Sequence, residues 1–109
     1  MEPRLPAHLE VGALIRSVSA AGGFASVLQK GEQDAGTILV VLIERGTNAR
    51  VYDRMPQADG SRAWILAQRE DPNDKSNLQD WLDRRAAQDR DLWIVELDIP
   101  NGERFIGLA

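Results

Sequence analysis

GTILVVLIER, from Gly36 to Arg45, is the stretch on which the rest of the chain depends. Ile38 to Ile43 is an unbroken apolar run, rich in β-branched residues and bounded by Gly36 and Gly46. Its length, its branching and the flanking glycines predict a strand rather than a helix. A strand that is apolar on both faces needs cover on both faces. The neighbouring segments are expected to supply that cover.

Upstream, Pro3 and Pro6 make Glu2 to Ala7 an extended lead-in. A helix is predicted from His8 to about Ala21, because Val11, Leu14, Ile15 and Val18 fall on one face. Gly22 and Gly23 end it. Phe24 to Lys30 reads as a first strand, and Gly31 to Gly36, GEQDAG, as a polar connection. Beyond the central strand, Gly46-Thr47-Asn48 is a turn. Ala49 to Met55 then alternates, with Arg50, Tyr52 and Arg54 on one side. PQADGS, Pro56 to Ser61, leads into a fourth strand from Arg62 to Arg69.

A second helix is predicted from about Ser76 to Arg90, opened by a capping box at Ser76 and Gln79. Leu78, Trp81, Leu82 and Arg85 share its face. Leu92 to Ile99 is a fifth strand, with Trp93, Val95, Leu97 and Ile99 on one side and Leu92, Ile94, Glu96 and Asp98 on the other. Asn101-Gly102 signals a hairpin, so Glu103 to Leu108 is expected to return as a short last strand. The order α-β-β-β-β-α-β-β predicts a single α+β domain over residues 1–109, an antiparallel β-meander with two amphipathic helices. If both helices lie on one face, the other side of the central strand stays apolar and open. That is the ground for expecting a homodimer.

The totals narrow the function classes. The chain has 109 residues, 43% hydrophobic and 28% charged, an ordinary globular composition. It has no cysteine, which excludes disulfides and thiolate metal sites. A single histidine, His8, excludes histidine clusters on a metal. No metal and no cofactor are expected. The apolar stretch Val11 to Ile15 is too short and too interrupted for a signal peptide, and nothing approaches a membrane span; a cytoplasmic protein is expected. Net charge is -4. From Glu44 to Arg69 there are five arginines against three acids, and from Glu70 to Asp98 nine acids against four bases. That balance argues against general nucleic-acid binding.

The candidate ligand-binding residues are Lys30, Asp34, Arg45, Arg50 and Glu96; no catalytic residue stands out. Asp34, beside Lys30 in the Gly31 to Gly36 connection, is expected to act as a turn residue whose carboxylate bonds nearby amides. Glu96 lies among apolar neighbours and needs a partner; Arg45 or Arg50 is expected to supply it. Arg50, Tyr52 and Arg54 form a cationic row with an aromatic centre, the pattern of an anion or RNA surface. It is also the pattern of a solvated strand face, which is the reading preferred. The strand-helix-strand order resembles that of acyl-CoA-dependent acetyltransferases, but QREDPNDKSN has no glycine, and its acids stand where an anion must sit.

Two motifs carry a resemblance: Gly-x-x-Asp-Ala-Gly, here Gly31 to Gly36, and Asp-Leu-Trp-Ile-Val-Glu, here Asp91 to Glu96. Together they resemble a small family of alphaproteobacterial proteins known as a domain of unknown function. The likeness runs from the first helix to the fifth strand. Arg90 stands where members of that family often carry proline. The resemblance implies a bacterial cytoplasmic protein and no particular chemistry. The function expected is a non-enzymatic domain that binds another protein or itself. The alternatives are a small-ligand protein or enzyme using the loop around Asp34, and a weak nucleic-acid binder using Arg45, Arg50, Arg54 and Arg62.

Overall fold

The computed structural model describes residues 5–108. The first half of the expected lead-in, residues 2–4, lies outside the described residues. Ala7 already belongs to the first helix, α1 (Ala7–Ala20). There follow β1 (Phe24–Gln29), β2 (Ile38–Glu44), β3 (Thr47–Pro56), β4 (Arg62–Arg69), α2 (Ser76–Gln88) and β5 (Trp93–Asp98), then a 3-10 helix (Gly102–Ile106). The class is α+β, as the order of elements implies.

The sheet is mixed, in the order β1-β5-β2-β3-β4. β5 inserts between β1 and β2, antiparallel to β1 and parallel to β2, so the fold is not a pure meander. The two central strands are the two unbroken apolar runs, and every residue from Ile38 to Leu42 and from Leu92 to Val95 is buried. Runs of this kind typify strands covered on both faces. The short hairpins β2-β3 and β3-β4 are antiparallel, as expected. The expected last strand is the 3-10 helix instead. Asn101 takes a positive φ of 54°, and this turns the chain across the sheet rather than back along β5.

The helices cover opposite faces. α1 and the 3-10 helix lie on the face formed by Ile38, Val40, Leu42, Trp93, Val95 and Leu97, burying Val11, Val18 and Ile106 against them. α2 lies on the other face, where Leu78 and Leu82 meet Leu39, Val41, Val51 and Ile94. The open face of β2 from which a homodimer was expected is therefore covered, and that ground for self-association falls away.

Two local expectations also change. The β2-β3 turn is Arg45-Gly46, with φ of 53° and 75°, and Glu44 pairs directly with Thr47. Two positive-φ residues match the twist of a tight hairpin. At α2 no side chain caps the first turn; the Ser76 hydroxyl donates to Asp74 Oδ1 at 2.6 Å, so the capping box does not form.

Candidate functional site

The cationic row on β3 is not solvated. Arg50 pairs across the sheet with Leu42 and Tyr52 with Val40, so both stand on the face that α1 and the 3-10 helix cover. Arg50 is only 4% exposed. Its Nε and Nη2 donate to Glu103 Oε2 and Oε1, each at 2.7 Å. Its Nη1 donates to the Asn48 carbonyl at 3.0 Å, and Glu44 lies 3.5 Å away. Tyr52 Oη donates to Glu103 Oε2 at 3.1 Å. The two-pronged fit of a guanidinium on a carboxylate is the strongest common form of this pair. The Arg50 hydrogen bonds hold the Glu103 carboxyl down at about 2, despite partial burial. The same bonds raise Arg50 above its ordinary value. Burial first, then the bond to Glu103, raises the Tyr52 phenol.

Arg54, further along the row, pairs with Glu10 of α1 and lies 4.8 Å over the Trp64 ring. Its Nε is buried with no hydrogen-bond partner among the described residues. The row therefore acts as a clamp, joining β3 to α1 through Glu10 and to the 3-10 helix through Glu103. On the opposite face Arg85 of α2 donates to Asp53 Oδ2 at 2.9 Å. Glu103 and Glu10 were missed in the sequence. The sequence does signal the need for such acids, though not which ones: β3 flanks a strand covered on both faces, so its inward arginines are covered too and require acids.

The Gly31 to Gly36 connection is a second built feature. The Glu32 carboxylate accepts from the Asp34 and Ala35 amides, so Glu32, not Asp34, is the capping side chain of this turn. The Gln33 and Asp34 carbonyls accept from the His8 and Ala7 amides at 2.9 and 3.0 Å, which satisfies donors that a helix start leaves open. His8 Nδ1 also donates to the Gln33 carbonyl, at 3.0 Å. Trp93 Nε1 donates to the Glu32 carbonyl at 2.8 Å. Main chain lies directly on main chain here. A Cβ on Gly31 would stand 2.2 Å from the Asp91 carbonyl oxygen, and one on Gly36 2.4 Å from the same atom.

The five candidate ligand residues do not converge. Lys30 follows β1, and Asp34 is exposed in the turn that caps α1. Arg45 is at the β2-β3 hairpin, its amide donating to Asp98 Oδ1 at 2.8 Å. Arg50 is buried on the α1 face. Glu96 pairs in register with Val41 and Ser26, on the α2 side of the sheet. The expected Arg50–Glu96 pair is thus ruled out by the sheet, which stands between them, and Arg50 is taken by Glu103. Burial, and then the neighbouring charge of Asp98, raises the Glu96 carboxyl above its ordinary value.

Two further surface features stand out. A cleft of about 270 Å³ lies between α1, Trp64 and the 3-10 helix, lined by Glu10, Leu14, Ser17, Trp64, Phe105 and Ile106. It is smaller than the usual ligand pocket, and Arg54 already answers its carboxylate. The other feature is the outer edge at β1, where Phe24, Val27 and Leu28 are 76%, 42% and 50% exposed. No described helix is long and apolar enough to cross a membrane.

Comparison with known proteins places this arrangement. The sequence profile of the family described as "Protein of unknown function (DUF1491)" matches residues 5–107. The chain is similar to the crystal structure of a DUF1491 family protein from Caulobacter crescentus CB15, at 31% identity and a TM-score of 0.83, covering 96% of this chain and 97% of that one. The NMR structure of a DUF1491 family protein from the same organism is 32% identical, with a TM-score of 0.80, over 95% of this chain and 94% of that one. The solution structure of protein Atu0922 from A. tumefaciens is 30% identical, with a TM-score of 0.77, over 98% and 96%. No curated protein matches the chain. With its profile matched from the first helix to the 3-10 helix, the chain belongs to the DUF1491 family.

Proposed function

We propose that the protein is a non-enzymatic cytoplasmic binding domain that takes up a partner by strand addition at β1. The observation that carries this reading is the β1 edge. FASVLQ has no charge and no proline, and it exposes three large apolar side chains, Phe24, Val27 and Leu28. Sheet edges left in water are normally protected by charges, prolines or a covering element, because unpaired backbone groups recruit further strands. An unprotected edge with apolar side chains is the arrangement used by domains that bind extended peptides. The charged side chains with the best geometry are engaged elsewhere, Arg50 with Glu103, Arg54 with Glu10 and Arg85 with Asp53, and they hold the scaffold.

The test is to select peptides from a random display library against the folded protein and titrate them into isotope-labelled protein. Binders should shift the amides of Phe24 to Gln29 and slow their hydrogen exchange. Val27→Lys should abolish binding while leaving the thermal midpoint unchanged. Selection that yields no binder, or binders that perturb the cleft around Trp64 and Phe105 instead, would refute the reading.

A further inference from the structure

The charges beside the β1 edge define what the edge accepts. Phe24 and Ser26 stand directly opposite Asp98 and Glu96 of β5, so these four residues share one face. α2 packs over the part of that face built by Leu39, Val41, Val51, Leu92 and Ile94 and leaves Phe24 76% exposed. On the other face of β1, Ala25 and Val27 lie opposite Leu97 and Val95 and offer only apolar surface. We propose that the β1 edge docks an extended segment of a partner protein in which basic side chains alternate with apolar ones, the basic ones on the Glu96 and Asp98 side. This rests on the strand-addition reading above.

The geometry suits long basic side chains. An added strand lies about 4.8 Å outside β1, and Ser26 between it and Glu96 is small. A lysine or arginine placed opposite Ser26 can extend over the serine to the Glu96 carboxylate. The Glu96 carboxylate makes no ion pair or hydrogen bond among the described residues. Asp98 receives the Arg45 amide on Oδ1 and is in no ion pair among the described residues. β1 itself contributes no cation between Phe24 and Gln29. The apolar side chains of the partner, on alternate positions, fall beside Ala25 and Val27.

A second copy of the chain suits this edge less well. Antiparallel pairing of β1 with its own copy, about an axis perpendicular to the sheet, keeps like faces together. Glu96 and Asp98 of both copies would then lie on one face with no cation from either β1 to answer them. The net charge of -4 points the same way, toward a basic partner rather than another acidic one.

The experiment uses the full chain and three synthetic peptides with identical apolar positions and Lys, Gln or Glu at the alternate ones. Binding is measured by calorimetry and mapped by amide shifts. The Lys peptide should bind about fivefold or more tighter than the Gln peptide, the preference of two favourable surface charge pairs, and the Glu peptide weakest. Glu96→Gln, which removes one charge and no hydrogen bond, should cut the Lys-over-Gln preference by about twofold or more and leave the Gln peptide unchanged. Raised salt should erode the preference, because these charges are near the surface. Equal binding of all three peptides at β1 overturns the charge inference and leaves strand addition standing. Failure of all three to bind, or shifts outside β1, overturns both. A concentration-dependent dimer that Val27→Lys disperses overturns the basic partner in favour of a second copy.

Discussion

Replacing Glu103 tests whether the clamp on Arg50 holds the C-terminal segment to the sheet. Glu103 has a carboxyl held at about 2 against an ordinary 4.5, so the folded state favours its ionised form. At neutral pH that gap is worth ~3 kcal/mol at most. The Glu103 side chain is 22% exposed, and screening by solvent lowers the expected loss for Glu103→Gln to about 2 kcal/mol. Glu103→Ala also strands a buried guanidinium, which costs about 3–5 kcal/mol in a fully buried pair. Glu44, 3.5 Å away, and the Asn48 carbonyl offset part of that, so a loss near the lower end is expected.

The sign with pH follows from the lowered carboxyl. Its contribution is complete above the ordinary carboxylate value and disappears as pH falls from about 4.5 to about 2. The wild-type advantage over Glu103→Gln should therefore be full at pH 7, shrink through that window and close near its lower end. Urea midpoints read by tryptophan fluorescence, at several pH values and with equal m, measure the difference directly. A loss below about 0.5 kcal/mol at pH 7, the level of an ordinary surface substitution, or a loss independent of pH, would refute the reasoning.

Three further outcomes are expected under the same assay. Gly31→Ala should cost about 3 kcal/mol or more, the upper range of overpacking, because its Cβ meets the Asp91 carbonyl oxygen; Gly12→Ala, which meets only the flexible tip of Arg16, should be neutral or stabilising. Glu32→Ala should cost about 0.5–2 kcal/mol, as for loss of a cap, and Asp34→Ala should stay within about 0.5 kcal/mol; the reverse order would restore Asp34 as the turn residue. Burial and Asp98 raise the Glu96 carboxyl, so ionising it weakens the fold as pH rises through its folded-state value. Glu96→Gln should then equal or slightly exceed the wild type at pH 7, by no more than about 0.5 kcal/mol, and the gap should close in acid; a loss above about 1 kcal/mol at pH 7 would mean that a cation pairs with it.

Much of the fold was legible from periodicity. The faces of both helices, the alternation along β3 and the two sides of β5 are as the spacing of apolar residues implies. The position of β5 is not, because short connections imply an antiparallel meander and carry no sign of the β2-β5 parallel pairing. Leu92 to Val95 carried the missing information: it is as unbroken as Ile38 to Ile43, and two such runs belong side by side at the centre of a sheet. The 3-10 helix escaped because Asn101-Gly102 permits more than one turn, and no local pattern shows that Glu103 answers Arg50 across a sequence gap of 53. The partner expected for Glu96 fails for a related reason. Alternation gave its face correctly, but choosing its partner required knowing that Arg50 lies on the other one.

The motifs that carried the family resemblance come together in space, and the contact explains both. Gly31 and Gly36 close on the Asp91 carbonyl, and Trp93 closes on the carbonyl of Glu32 between them. Glycine is required there because backbone meets backbone with no room for a Cβ. The same turn turns its Gln33 and Asp34 carbonyls toward the start of α1. One contact thus ties the first helix, the β1-β2 connection and the head of β5, elements far apart in sequence. Residues committed to holding main chains in contact are not available to a ligand. The paired arginines are committed in the same way. Surface that the scaffold does not use includes the β1 edge with Glu96 and Asp98 behind it, where recognition is proposed above. A search for the function should therefore vary Phe24, Ser26, Val27 and Glu96, and leave the glycine turn and the Leu-Trp strand intact as the frame that presents them.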